Sequence, residues 1–483
     1  MAQLLSLSRA ARLAGVTRAE LQRRIRNGEL TTFEGEIDIA DLLRVYPSVS
    51  LEKTGKLEQV ERIKAAALPR SHDADTALPS PQVLVARIRS LGAALARKVA
   101  QADAQAALLS ELGERLAAAG GANAELLDWL DARRQEIDTL PPEDGRAQLF
   151  AKDTFLRLMS ANVKIIPSGH EFFVDGTESI LEAAVRAGLR LGYGCASGNC
   201  GECKARVVSG EVARISEHDY VLSEREKQMG YMLTCCNPAV TDVVLEAAEA
   251  RTTADLPEQD IRAQIRKLEP EGDDLMLLHV QTPRTQTLRF MAGQRALLTL
   301  EDGAARELPI ASCPCNGRNL QFSVRRNHDA FGAYLFERQP TREMIRVQGP
   351  VGSFVLREEA TEPAVFIAIG DGIAPIKSLI EHAVSIDNIE AFHLYWSTDR
   401  PDGHYHERWC RALKETLDNF AFTPLVDAGT EDLMAMLHSD LSALEALRYY
   451  LAGPAAPVRA LADALAAGGV PAARIASEEL DSL

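Results

Sequence analysis

The chain has 483 residues, too many for one hydrophobic core, so about three or four domains are expected. Its formal net charge of -16 excludes a surface that binds nucleic acid all over, while leaving room for a local basic patch. No apolar stretch reaches the roughly 18 residues of a membrane span, and Met1–Leu13 lacks the charged-then-apolar pattern of a signal peptide.

In chain order, residues 1–48 form the first unit, compact and helical from Leu5 to Pro47. Leu7 to Ala14 reads as a helix, Gly15 as a turn and Thr17 as the cap of a second helix. That second helix carries Arg18, Arg23, Arg24 and Arg26. This pattern resembles helix-turn-helix domains of the MerR and excisionase type, a resemblance in which Gly28–Ile39 would form the wing. The resemblance implies DNA contact through those four arginines, or a small docking module that reuses the fold.

Residues 49–81 read as a linker, ending in the Pro-, Asp- and Ser-rich stretch Pro69–Pro81. A helical, coiled-coil-like segment follows at 82–140. Over 83–116, Leu84, Ile88, Leu91, Leu95, Val99, Leu109, Leu112 and Leu116 recur at helical spacing. Gly120-Gly121 ends that helix, and Ala124–Ile137 starts another. The narrow, Ala-rich stripe suits either an intramolecular hairpin or a homodimer.

Residues 160–250 hold the most specific signal. Cys195, Cys200 and Cys203 follow C-x4-C-x2-C, and Cys235 supplies a distant fourth thiol in Leu233-Thr234-Cys235. This is the ligand spacing of a plant-type [2Fe–2S] ferredoxin, and Gly194, Gly198 and Gly201 let a tight loop wrap a small cluster. Zinc or simple packing is the bland alternative, but zinc sites usually show two paired knuckles. A hairpin at Val163–Ile166 and Phe172–Val174, a helix at Ser179–Ala187 and strands at Lys204–Val208 and Val243–Glu246 are predicted. Their order resembles the β-grasp fold of plant-type ferredoxins. The other cysteines, Cys236, Cys313, Cys315 and Cys410, form no disulfide framework, which suits a cytoplasmic location.

Residues 256–360 and 361–483 resemble the two halves of the ferredoxin–NADP reductase family, a flavin-binding β-barrel and a doubly wound parallel-sheet NAD(P) domain. Carrying the first are Phe290-Met291-Ala292-Gly293-Gln294, Arg306 with Ile310-Ala311-Ser312, and the Gly349-Pro350-Val351-Gly352 turn. The resemblance implies FAD, with FMN as the other option, and Arg306 forking onto its phosphate. Departures are plain: Leu308 and Pro309 replace the family's Tyr and Ser, and the family's Gly-x-x-Ser appears as Asp329-Ala330-Phe331-Gly332. In the second half, buried strand Phe366–Ile369 runs into Gly370-Asp371-Gly372-Ile373-Ala374-Pro375 and a helix at Ile376–Ala383. Gly453-Pro454 makes a later turn, and the glycines Gly370, Gly372 and Gly453 imply a pyrophosphate cradle for NADH or NADPH. Here Asp371 stands for the usual Thr and Ala452 for the usual Cys, while Asp399 and Arg400 pull the dinucleotide choice in opposite directions, with NADH favoured. His404, Tyr405 and His406 are expected to be surface or packing residues rather than metal ligands.

The whole is thus a multidomain α+β and α/β chain. Its expected function is an NAD(P)H-dependent electron-transfer reductase, passing electrons through flavin to the [2Fe–2S] cluster and on to an oxygenase or other metalloprotein. The rival expectation is a redox-responsive DNA-binding regulator or redox scaffold with degenerate flavin and NAD sites.

Overall fold

A computed structural model describes residues 4–33, 36–47, 79, 81–118, 126, 128–130, 132–133, 153–213, 221–283, 286–316, 318–326, 329–358, 360, 362–386, 389–399 and 403–480. Nearly all of the 49–81 linker, most of the helix expected at Ala124–Ile137, and Arg400 lie outside the described residues.

The first unit comprises β1 (Leu4–Ser6), α1 (Leu7–Ala14), α2 (Arg18–Arg26), β2 (Thr32–Phe33), β3 (Glu36–Asp38) and α3 (Ile39–Val45). Gly15 adopts φ 73° and ends α1, a conformation few side chains tolerate. Thr17 Oγ1 accepts from the Glu20 amide at 3.1 Å and starts α2. Ala10, Leu13, Leu21, Leu30, Ile37 and Leu42 share one small core. β2 and β3 fall within Gly28–Ile39, whereas β1, which joins them in a three-stranded sheet, is too short to display an alternating pattern and was not expected.

Helix α4 (Pro81–Ala118) has 38 residues and at ~1.5 Å per residue extends roughly 57 Å. It is rooted at one end by the buried Arg87, which donates to the carbonyls of Leu158, Ala239 and Val240 at 2.9–3.0 Å.

Next come β4 (Ser160–Ile166), β5 (Glu171–Asp175), α5 (Ile180–Arg186), β6 (Lys204–Ser209), α6 (Glu224–Gln228), β7 (Tyr231–Leu233) and β8 (Val243–Glu246). Their sheet has the order β5-β4-β8-β6-β7, with β4 and β8 parallel. Ser179 and Glu182 form a reciprocal cap that starts α5 where the hydrophobic spacing placed it. Its apolar face buries Ile180, Leu181 and Ala184 against Val163, Phe172 and Leu245.

The antiparallel barrel uses β9 (Gln259–Glu271), β10 (Leu275–Gln281), β11 (Arg295–Thr299), β12 (Ala305–Pro309), β13 (Asn319–Arg325), α7 (Ala330–Arg338) and β14 (Met344–Val351), in the strand order β12-β11-β14-β9-β10-β13.

The last unit has β15 (Ala364–Ile369), α8 (Ile373–Ile386), β16 (Phe392–Thr398), α9 (Glu407–Thr416), β17 (Phe420–Val426), α10 (Thr430–Asp440), β18 (Arg448–Pro454), α11 (Ala455–Ala467) and β19 (Ile475–Leu480). All five strands are parallel, in the order β17-β16-β15-β18-β19. Along β15, Phe366 and Ala368 enter one core while Val365 and Ile367 enter the other, as a sheet covered on both faces requires. Helix α8 begins at Ile373, three residues before the expected Ile376. Pro375 falls in its first turn, where no backbone donor is needed.

Charged braces join these units. Arg9 pairs with Asp153 and Asp242 at 2.7 and 2.8 Å, Arg12 with Asp175 at 2.7 Å, and Arg26 with Glu390.

Candidate electron-transfer site

The loop between α5 and β6 and the turn after β7 place the four cysteines as two contacting pairs, Cys195 with Cys200 and Cys203 with Cys235. Ala196, Gly198 and Gly201 have positive φ, so the loop coils tightly and turns amides inward. Cys195 Sγ accepts from the amides of Ser197, Asn199 and Cys200 at 3.4, 3.2 and 3.3 Å. Burial opposes ionisation of Cys195, but the hydrogen bonds from Ser197 and Cys200 prevail and bring its thiol down to about 6. The sulfurs of Cys203 and Cys235 lie 3.2 Å apart and share a hydrogen bond. That bond brings Cys203 down to about 7 and, with burial, pushes Cys235 up. Four thiols with several amides aimed at sulfur are a donor set that fits an iron–sulfur cluster. Cys200 is exposed and Cys203 buried, so one edge of the site meets solvent and the other the core. Cys236, 3.5 Å from Cys235 by sulfur, is buried beside it.

This domain is fastened to the other two. Arg190 forks onto Glu358, whose carboxylate also meets His382 Nε2 at 2.5 Å. Arg289 of the barrel donates to the Tyr193 carbonyl at 3.2 Å, one residue before the loop glycine Gly194. Gly188, at φ +84°, lets the chain pass His382, where a Cβ would come within 2.8 Å of the imidazole.

On the barrel, Arg306 is 9 % exposed at its side chain and forks onto Asp329. Asp329 also caps α7, accepting from the Gly332 amide at 2.8 Å. Burial raises the Asp329 carboxyl, but Arg306 and the Gly332 amide outweigh it and hold the group below the usual carboxylate range. The buried guanidinium and the helix N-terminus are donors suited to a flavin phosphate, and the half-exposed Asp329 carboxylate stands between them. Leu308 is fully buried in the barrel core. Ile310, Ala311 and Ser312 are buried too: Ser312 Oγ accepts from the Gln321 amide at 3.2 Å, and the carbonyls of Ser312 and Ala311 accept from Ser378 and Lys377 of α8 at 2.7 and 3.3 Å. A cavity of about 210 Å³ opens here between barrel and α8, lined in part by His279, Gln321, Lys377, Glu381, His406 and Trp409. At the closing turn, Gly349 has φ 155° and Gly352 φ 100°, and the Gly352 carbonyl accepts from Gln294 at 2.9 Å.

The glycine loop and the β18 turn meet where the strand order reverses, between β15 and β18. A Cβ on Gly372 would strike the Ala452 carbonyl, and one on Gly453 would lie 2.7 Å from the Ile369 carbonyl. Both glycines are therefore required for the close approach of two turns, and Gly370 adds φ 57°. Pro454 ends β18 and leads into α11. Asp371 does not face this crevice unpaired, since Arg325 of β13 forks onto it at 2.6 and 2.9 Å. That charge compensation was not apparent from the sequence. Asp399 is exposed after β16. His404 is buried and hydrogen-bonds the Trp396 carbonyl at 2.9 Å, while the His406 ring lies tilted against Tyr405 and lines the cavity, so both are packing residues.

The arginines of α2 are partly engaged within the molecule. Arg24 pairs with Glu20 and Glu29, and Arg26 reaches Glu390; Arg18 is half-buried and Arg23 exposed. One expectation is corrected: Cys313 and Cys315 are joined as a disulfide. They sit on a short turn after β12 where the chain reverses, a proximity that two-residue spacing alone does not reveal.

Residues 163–240 match the family model described as the 2Fe-2S iron-sulfur cluster binding domain. The chain is 34 % identical over 247 residues to the CDP-6-deoxy-L-threo-D-glycero-4-hexulose-3-dehydrase reductase of Yersinia pseudotuberculosis, covering 51 % of this chain and 73 % of that protein. It is 26 % identical over 336 residues to the reductase component of propane 2-monooxygenase from Rhodococcus jostii, covering 65 % and 90 %. Among solved structures, an Amycolatopsis cytochrome P450 reductase is similar at 24 % identity and a TM-score of 0.42, covering 66 % of this chain and 98 % of that one.

Proposed function

The chain belongs to the reductases that join a [2Fe–2S] ferredoxin domain to a ferredoxin–NADP reductase-like module, and from that premise we propose that its four-cysteine loop is the outlet of an NAD(P)H-driven electron path to a partner protein. The enzyme is an oxidoreductase using NAD(P)H, FAD and a [2Fe–2S] cluster. When bound, flavin would supply the conversion of a hydride pair into single electrons and the cluster one-electron carriage. Cys195, Cys200, Cys203 and Cys235 hold the cluster. Amides from Ser197, Asn199 and Cys200 favour the thiolate form of Cys195 and keep the sulfur oriented. Arg306 and the first turn of α7 hold the flavin phosphate once Asp329 gives way, beside Ile310–Ser312 and the Gly349–Gly352 turn. Gly370, Gly372, Gly453 and Pro454 shape the pyrophosphate cradle, and Arg325 neutralises Asp371 next to it. With Asp399 exposed, NADH is the preferred donor. The exposed Cys200 edge is where the acceptor, an oxygenase or another metalloprotein, approaches.

The observation that carries this reading is the amide-lined four-cysteine site, fastened through Arg190 and Arg289 to the barrel and parallel-sheet units. Anaerobic NADH added to flavin-replete protein is expected to bleach the flavin and cluster absorbance. Colour that persists in such protein counts against the reading.

For residues 1–48 we propose a helix-turn-helix unit used for docking. The ion pairs of Arg9, Arg12 and Arg26 with acidic residues of the reductase body support docking over DNA contact.

A further inference from the structure

We propose that Cys313 and Cys315 form an additional redox centre, a reversible disulfide–dithiol couple at the seam where the four-cysteine domain, the barrel and the parallel-sheet domain meet. The path from nicotinamide to cluster has no use for it. Nor does stability: a bridge spanning two positions closes so small a loop that it removes little freedom from the unfolded chain.

Its surroundings are those of a reactive sulfur. Cys313 is fully buried, whereas Cys315 is partly exposed, so one sulfur is reachable and the other faces the protein. Cys313 Sγ lies 4.0 Å from His382 Nδ1. His382 Nε2 faces Glu358 at 2.5 Å, and Arg190 of the four-cysteine domain holds that carboxylate. A nucleophile, an imidazole base and an orienting carboxylate are thus in sequence. With Nε2–H donating to Glu358, Nδ1 is the acceptor turned toward sulfur. Ser385 Oγ sits 3.6 Å from Cys315 Sγ, and the Cys313 amide is fixed by Glu381 at 3.0 Å.

The chemistry balances with a small dithiol as reductant. Its thiolate attacks the reachable Cys315 Sγ, the S–S bond breaks, and Cys313 leaves as a thiolate beside His382. The second sulfur of the dithiol then displaces Cys315, so the dithiol becomes a disulfide and the protein gains two thiols. The two protons lost by the dithiol are those gained by the protein, the one for Cys313 held between its sulfur and His382 Nδ1. Because His382 also packs on Gly188 and on the Glu358–Arg190 pair, the redox state is read directly at the contact that fastens the four-cysteine domain.

The test uses full-length, cluster-loaded protein under anaerobic coulometry with a viologen mediator. Wild type takes up two more electrons per chain than Cys315→Ser, and Cys313→Ser gives the same deficit. Equal uptake by wild type and Cys315→Ser overturns the proposal. Iodoacetamide labelling mapped by peptide mass gives a second reading. Cys315 labels only after dithiothreitol treatment; labelling before it, or none after it, also overturns the idea. Because the electron count is a difference between variants, missing flavin lowers every total alike and leaves the gap intact. Failure of the reductase reading and failure of this couple are therefore distinguishable.

Discussion

Arg306 is a buried guanidinium that the fold has already paired, and Asp329 is the partner it holds while also capping α7. Asparagine caps a helix about as well as aspartate, so Asp329→Asn keeps α7 and removes only the competing charge. Flavins that carry a phosphate should bind this variant roughly tenfold tighter or better, with riboflavin unaffected. Fluorescence titration of flavin-stripped protein decides it, and equal FAD affinity in the two proteins would mean that Asp329 is no obstacle. At the other end of the path, Cys203→Ser removes a buried thiol proposed as a ligand, and the purified variant should lack the visible absorbance and the reduced-state electron paramagnetic resonance signal of the cluster. The four cysteines proposed as ligands stand out in the sequence, because three thiols in one loop leave few chemical alternatives. Asp329 was legible only as a departure from a pattern. That it pairs with Arg306 depends on β12 and the start of α7 meeting across 23 residues of sequence, which no local spacing reports.

At the scale of single elements, α4 poses the clearest question. Only its first turns are buried, around Val83 and Arg87, while Ile88, Leu95, Val99 and Leu108 are each more than half exposed. A stripe of this length in water calls for a partner, and we propose a second copy of the helix. Sedimentation of wild type should show a dimer that Leu95→Glu dissociates; a wild-type monomer refutes it. The root of the helix is separately testable. Arg87→Met leaves three buried carbonyls without their donor, a loss of about 2–4 kcal/mol that urea midpoints should register. Periodicity made this helix and α5 legible, and the buried run of β15 marked the parallel sheet. The short strand β1 and the start of α8 were misjudged, since three residues carry too little pattern and a proline in a first turn resembles a helix break.

Across the whole molecule, electron delivery depends on how the four-cysteine domain stays attached, and Glu358 is the residue on which that attachment converges. Burial alone would raise its carboxyl, but His382 and Arg190 outweigh it and bring the group to about 2 from an ordinary 4.5. A carboxylate depressed on folding contributes fully above its unfolded value, so the brace is complete above about pH 4.5. It is lost progressively as the pH falls toward about 2. The shift corresponds to a contribution on the order of 3 kcal/mol near neutrality. Glu358→Gln keeps the size of the side chain and lacks that titration. Its thermal stability should lie below that of wild type at pH 7, and the two curves should converge as the pH is lowered through that window. Melts followed by near-ultraviolet circular dichroism measure this directly, and curves that stay parallel from neutral to acid pH would exclude Glu358 as the brace. A second readout separates attachment from general stability: in Glu358→Gln at pH 7, reduction of the cluster by NADH should slow more than reduction of the flavin, because only the former step crosses the contact that Arg190 and His382 hold.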